Sequence, residues 1–291
     1  MLVGFPPGGG ADVAARIITP NLSENLGHQV VIDNRAGATG TIAAGLLAKA
    51  PADGYTVMMG HMATLTIVPH VYAKLPYDPV NDFAPVTMAG AFPHMMSVHP
   101  SLPVTTVKQF IALAKSQPGK LNYASSGQGT PYHMAGELFK SMAGIDVVHV
   151  PYRNSGEARS GVIGGQVQMM IDAVTTMAPN VAAGQVRALA TTGKTRSGVL
   201  PDVQTAGEAG VPGYEATIWL GLMAPAGTPK PVIDKLNAAV NEVVKRPEIV
   251  KLWSDQGAVA MSMTPEAFDK YLRGDIVKWA EVVKQFPDKP Q

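Results

Sequence analysis

A chain of 291 residues, 46% hydrophobic and 15% charged, is globular and long enough for two domains of ordinary size. Its formal net charge of +1, with Lys and Arg scattered and forming no run, argues against a nucleic-acid binder. The absence of cysteine excludes thiol nucleophiles, thiolate metal sites and disulfides, and no stretch approaches the ~20 apolar residues of a membrane span.

Leu2–Phe5 reads as a strand, Pro6-Pro7 as a rigid corner, and Gly8-Gly9-Gly10 as the approach to a helix from about Asp12 to Leu26. Ile18, Leu22 and Leu26 recur four apart on one face of that helix. Pro20 is expected to kink or divide it, and Gly27 to stop it. Gln29–Asp33 is a β-branched strand, and Gly37–Gly40 opens a helix with Ile42 and Leu46 turned inward. Asp53-Gly54 is a turn, Tyr55–Met59 a strand and Gly60–Ala63 a loop, after which Thr64 caps a further helix. This βαβαβ order implies a parallel sheet with right-handed crossovers. Met1 falls at the edge of the first strand and no signal peptide is visible, so the chain is expected to be shortened at its N-terminus.

The pattern restarts after Pro100–Pro103 with a helix from about Thr106 to Lys115 and a strand at Leu121–Ala124. A small-residue loop, Ser125–Gly129, leads to Thr130-Pro131, a cap followed by proline at the first helical position. Met134, Leu138 and Met142 mark one face of that helix to Gly144. Val147–Val150 is a strand, Pro151–Asn154 a loop, Ser155 a cap, and Val167–Ile171 a strand ending at Asp172. The chain returns through Trp219–Ala224, and Thr228-Pro229 and Thr264-Pro265 open two longer helices ending near Arg246 and Lys284. Two α/β lobes follow, 1–99 with 221–291 and an inserted 100–220, joined by extended crossings near Val98–Leu102 and Trp219–Pro225.

The glycine junction at Gly8–Gly10 sets bare amides at the positive end of a helix, a place to hold an anion. It is no Walker loop, because Gly10 stands where a lysine is needed, and no dinucleotide fingerprint, because Val13 takes the third glycine's place. Ser125 and Ser126 lack the Gly-x-Ser-x-Gly elbow of a nucleophile, and glycines beside hydroxyls suit carboxylate binding better. The seven histidines show no metal-ligand spacing. His133, near a helix start, is placed near ligand, as are the hydroxyls of Thr39 and Thr64, Arg153 after one strand end and Asp172 after another. Asp172 is read as orienting a bound amine or water, or as capping a helix from near Thr176.

Seven segments in order carry a resemblance. They are Phe5–Asp12, Asn34–Gly40, Pro51–Thr56, Pro118–Gly127, His149–Arg153, Gly164–Val167 and Gly207–Gly210. The chain resembles the Bug family, the solute receptors of tripartite tricarboxylate transporters. The resemblance implies a two-lobed periplasmic-binding-protein fold of class α/β, each lobe a mainly parallel sheet flanked by helices, with ligand in the interlobe cleft. It implies a small carboxylate ligand, membrane permease subunits as partners, a periplasmic monomer, no cofactor, no metal and no catalytic step. Carried over residue by residue, the ligand contacts are Phe5, Pro7, Gly8, Gly9, Gly10, Ala11, Asp12, Thr39, Gly40 and Thr64 from one lobe. The other lobe supplies Ser125, Ser126, Gly127, Gly129, Thr130, His133, Tyr152, Arg153, Asn154 and Asp172. The chain departs from the family pattern at Gly60–Leu65, Arg153-Asn154, Glu157 and Gln168, which bear on ligand identity. A ligand sensor that docks on a signalling partner, or an α/β hydrolase or transferase, are the alternatives.

Overall fold

The computed structural model describes residues 1–284. The chain opens with β1 (Leu2–Val3), α1 (Gly10–Leu26), β2 (Asp33–Asn34), α2 (Thr41–Ala48), β3 (Met58–His61), α3 (Val68–Val71) and β4 (Phe83–Val98). β1 is flanked in parallel by β2 and β3, as the alternation of elements requires. α1 runs undivided through Pro20, which sits on its exposed face, where water can replace the lost backbone bond. The strand expected over Gln29–Asp33 shrinks to β2, and Val31 is left 63% exposed. Tyr55 likewise stays outside β3 at 81% exposure.

α2 reverses the expected face. Ala43, Ala44 and Leu47 are fully buried, while Ile42 and Leu46 are about half exposed. Close approach explains this. A Cβ on Gly4 would lie 2.8 Å from the Gly40 Cα, and one on Gly45 would lie 2.9 Å from the Pro76 ring. The contact face admits small residues, so the bulkier Ile42 and Leu46 face out.

β4 is 16 residues long and ends at Val98; the chain passes from one unit to the other within it, at Ala91–Phe92, and not at the crossing expected over Val98–Leu102. Pro85, Gly90 and Pro93 interrupt its strand pattern, which hid it. Its residues to Ala91 belong to one compact unit, completed by Ile218–Asp255 and the chain from Val259 on. Its residues from Phe92 open a second unit, Phe92–Thr217 with Gln256–Ala258.

The second unit continues with α4 (Val107–Ser116), β5 (Asn122–Ser125), α5 (Pro131–Ala143), β6 (Val148–Pro151), α6 (Ser155–Ile163), β7 (Met169–Ala173), α7 (Val174–Ala182) and β8 (Arg187–Thr191). β5 pairs in parallel with β6 and β7, and the second half of β4 runs antiparallel to β7 and β8. Thr130 caps α5 as expected, and Thr106, where a helix start was read, caps α4. α6 is capped by Asn154, one residue before the expected Ser155, because the Asn154 side chain accepts from the Glu157 amide. Met95, Ala124, Met170, Val174 and Met177 pack into a fully buried cluster beneath α6 and α7.

The last elements complete the first unit: β9 (Thr217–Pro225), α8 (Lys230–Val243), α9 (Pro247–Asp255), β10 (Val259–Ala260) and α10 (Pro265–Val283). β9 is antiparallel to β3, and β10 to the first half of β4. α9 was not expected. Its Trp253 ring fills the space beside Gly90, where a Cβ would come within 1.9 Å. Thr264 caps α10, whereas Thr228 instead donates to the Pro225 carbonyl at 2.8 Å and leaves α8 without a side-chain cap.

Candidate functional site

In the first unit β1, β2 and β3 are parallel, so the segments after them leave one carboxyl edge, the usual place for a ligand in an α/β sheet. The loop after β1 is locked by Asp12. Its carboxylate accepts from the Gly8 amide at 2.9 Å, from Arg16 Nε at 2.8 Å and from Asn34 Nδ2 at 2.9 Å. Asn34 also donates to the Phe5 carbonyl at 3.1 Å. The bond from Arg16 holds the Asp12 carboxyl down at about 2, well below the usual range. The Gly9 amide is taken by the Pro6 carbonyl at 3.1 Å. The amides of Gly10, Ala11 and Asp12 are left without an acceptor at the start of α1. Of the glycine run, then, Gly8 and Gly9 shape the loop and Gly10 keeps an open donor. Asp12 holds the loop, and its oxygens are committed.

Thr39 and Thr64 are not helix caps. Thr39 sits in left-handed backbone, φ 56°, with Ala38 beside it at φ 45°. Such conformations cost energy for non-glycine residues and gather at functional loops. Thr64 is buried inside a π-helical turn, Ala63–Ile67, and its hydroxyl donates to the Thr39 carbonyl at 2.8 Å. Gly40 must lack a side chain, since a Cβ there would lie 2.5 Å from Thr64 Oγ1. Phe5 packs on the His61 ring with centroids 4.5 Å apart, and His61 Nδ1 accepts from the Ala63 amide at 3.0 Å. Desolvation pushes that imidazole down to about 4.

In the second unit, the ends of β5, β6 and β7 share a carboxyl edge. Ser125 is fully buried. Its Oγ lies 2.6 Å from His149 Nε2 and accepts from the Gly127 amide at 3.2 Å. Thr130 Oγ1 donates to the Gly127 carbonyl at 2.7 Å, and the Gly129 amide donates to His133 Nδ1 at 3.0 Å. The His133 and His149 rings lie 4.0 Å apart, with Tyr123 stacked against His149. Desolvation, reinforced by nearby His149 and Lys140, lowers His133 to about 3, and desolvation with Lys140 lowers His149 to about 4. Ser125 meets a histidine, as a nucleophile would, but it is sealed under its own loop and serves to fold it. Ser126 keeps a hydroxyl uncommitted at the loop surface.

Asp172 lies within β7 and is 1% exposed. It accepts from Arg159 Nη2 at 2.9 Å and from the Ala173 amide at 2.8 Å. Burial nonetheless raises its carboxyl above the ordinary value. It does not cap a helix from Thr176, since α7 starts at Val174. Arg153 is exposed and makes no side-chain bond among the described residues. Tyr152 is half-buried against the core cluster, and Asn154 is committed to its cap.

Sequence reasoning missed Arg159, Tyr132, His149 and His61. Tyr132 and His149 each stood next to or within a segment already singled out, two residues after Thr130 and four before Arg153. Arg159 carried no local signal, because its role depends on α6 lying beside β7. Among the described residues no group of three or more acidic or histidine side chains could hold a metal ion, and no helix is long and apolar enough to cross a membrane.

Residues 14–287 match the family model described as tripartite tricarboxylate transporter family receptor. BugT of Bordetella pertussis strain Tohama I is 35% identical over 286 residues, 98% of this chain and 88% of that protein. The Rhodopseudomonas palustris protein Rpa4515, solved with adipate, is 37% identical with a TM-score of 0.78, over 97% of this chain and 95% of that one. MatC from the same organism, solved with bound malate, is 33% identical with a TM-score of 0.74, over 97% of each chain.

Proposed function

This chain belongs to the receptor family of tripartite tricarboxylate transporters, and from that premise we propose that it captures a small carboxylate in the periplasm and delivers it to the permease subunits of such a transporter. Membership in a receptor family makes it a binding protein and not an enzyme. The observation that carries the carboxylate reading is the start of α1. Three consecutive amides, Gly10, Ala11 and Asp12, are without acceptors there, and the one carboxylate beside them is already neutralised by Arg16. Amides at a helix start suit an anion, and a desolvated carboxylate needs several donors to offset its lost hydration. The Ser126 hydroxyl offers a further donor at the edge of the other sheet. The adipate and malate held by two relatives support an aliphatic carboxylate.

A thermal-shift screen tests this. Adipate, malate, hexanoate and benzoate are compared with neutral sugars. A ligand at 100 times its dissociation constant adds about 2.7 kcal/mol of stability, a readily measured rise in melting temperature. A shift with at least one carboxylate and none with sugars is expected. A preference for a neutral sugar would overturn the reading.

A further inference from the structure

Arg159 stands in the first turns of α6, and its side chain reaches the end of β7, where Nη2 donates to Asp172. The two partners are unequally satisfied. Asp172 has one donor on each oxygen, the Ala173 amide on Oδ1 and Arg159 on Oδ2. A guanidinium has five N–H groups in a fixed fork, and Arg159 commits one nitrogen of three. Among the described residues its Nε is buried with no acceptor and its Nη1 has none either, and a quarter of the side chain remains exposed. An arginine oriented by one carboxylate and short of acceptors is ready for a second, since the fork favours paired N–H to oxygen bonds.

Its position is also right. α6 follows the Pro151–Asn154 loop directly, and Tyr132 lies two residues past Thr130. Because β7 runs parallel to β5, the pair sits at the carboxyl edge from which the Ser125–Thr130 loop leaves. His94, opposite Ala173 on β4, closes one side with its ring edge-on to Tyr132 at 4.9 Å. It is 1% exposed with Nδ1 unpartnered, a neutral polar wall beside the pair.

We propose that Arg159, oriented by Asp172, receives one carboxylate of a ligand that carries two, and so sets a preference for dicarboxylates over matched monocarboxylates. The proposal rests on the carboxylate reading above. Titration calorimetry of the full chain with adipate and hexanoate tests it. The wild type is expected to prefer adipate by at least about tenfold. Arg159→Leu should weaken adipate about a hundredfold and leave hexanoate unchanged. Arg159→Lys should restore part of the preference. Because leucine strands Asp172, the double variant Arg159→Leu/Asp172→Asn is measured as well and should show the same loss. A preference that survives in both Arg159→Leu variants would overturn the proposal. A wild type that binds hexanoate as tightly as adipate would overturn this assignment and leave the carboxylate reading standing. A wild type that binds no carboxylate would overturn both.

Discussion

Two carboxylate–arginine pairs, one in each unit, are built from the same chemistry and behave in opposite ways. Asp12 and Arg16 form one pair at 2.8 Å, and Asp172 and Arg159 the other at 2.9 Å. Arg16 is 56% exposed, and hydrogen bonding drives the Asp12 carboxyl down to about 2. Arg159 is 25% exposed, and burial drives the Asp172 carboxyl up despite its bonds from Arg159 and the Ala173 amide. An ion pair in reach of solvent settles as charge plus hydrogen bonds, while one in the interior is governed by desolvation. The first pair fastens a loop whose backbone offers the donors. The second fixes a side chain that is itself a donor.

The largest test of this contrast is acid. The second unit holds His94, His133 and His149, lowered by desolvation to about 3, 3 and 4. The first holds His61, lowered to about 4, and His70, lowered less. A histidine depressed in the fold stays neutral there while the unfolded chain takes up protons below about 6.5. Its stabilisation is complete above that value and is lost as pH falls toward the folded pKa. Hydrogen exchange should therefore show the second unit losing protection first between pH 6.5 and 4.5. His133→Gln/His149→Gln should flatten that loss by roughly 3–5 kcal/mol. Equal acid sensitivity of the variant and the wild type would break the contrast.

Next in size are the pairs themselves. Asp172→Ala leaves a mostly buried guanidinium and should cost about 3 kcal/mol in urea unfolding at pH 7. Asp12→Ala should cost about 1–2 kcal/mol, since Arg16 is solvated and the loss is mainly the acceptor of Gly8 and Asn34. The Asp12 contribution is present above about pH 4 and disappears as pH falls toward 2, because its folded pKa is depressed. A larger loss from Asp12→Ala would invert the comparison.

Ligand affinity separates backbone from side-chain donors. Gly9 has ordinary φ, −73°, and a Cβ would meet nothing closer than the Pro6 carbonyl at 3.2 Å. Gly9→Val should keep its melting temperature and lose about tenfold in carboxylate affinity, ~1.4 kcal/mol, by crowding the approach to the open amides. Undiminished affinity in the folded variant would remove this loop from the site. The smallest effect is expected at Thr64→Val, where one buried bond to the Thr39 carbonyl is lost for about 1 kcal/mol of stability. No change in unfolding midpoint would show that the bond does not hold the Thr39 turn.

Much of this was legible in the sequence where local chemistry decides. Thr106, Thr130 and Thr264 announce helix starts because a hydroxyl placed before a helix satisfies an amide three residues on. The strand–glycine–helix junction at Phe5–Asp12 announces open amides for the same local reason. Features that depend on partners were not legible. The buried face of α2 is set by the approach of Gly4 to Gly40, β4 is held by strands on both sides despite its prolines, and Arg159 gains its role from Asp172 thirteen residues away.

The sequence by itself determined the alternation of strands and helices, the two α/β units, the loops at the strand ends and the family. These follow from periodicity, capping and turn residues, which act within a few positions of the chain. Tertiary structure decided which donors stay open and which are consumed. It closed Gly8 on Asp12 and Gly9 on Pro6, sealed Ser125 beneath its loop with His149, and set Arg159 against Asp172 while leaving Arg153 exposed. Whether a polar group is free depends on what the fold places within 3 Å of it and on how much water remains, and neither is written in local sequence.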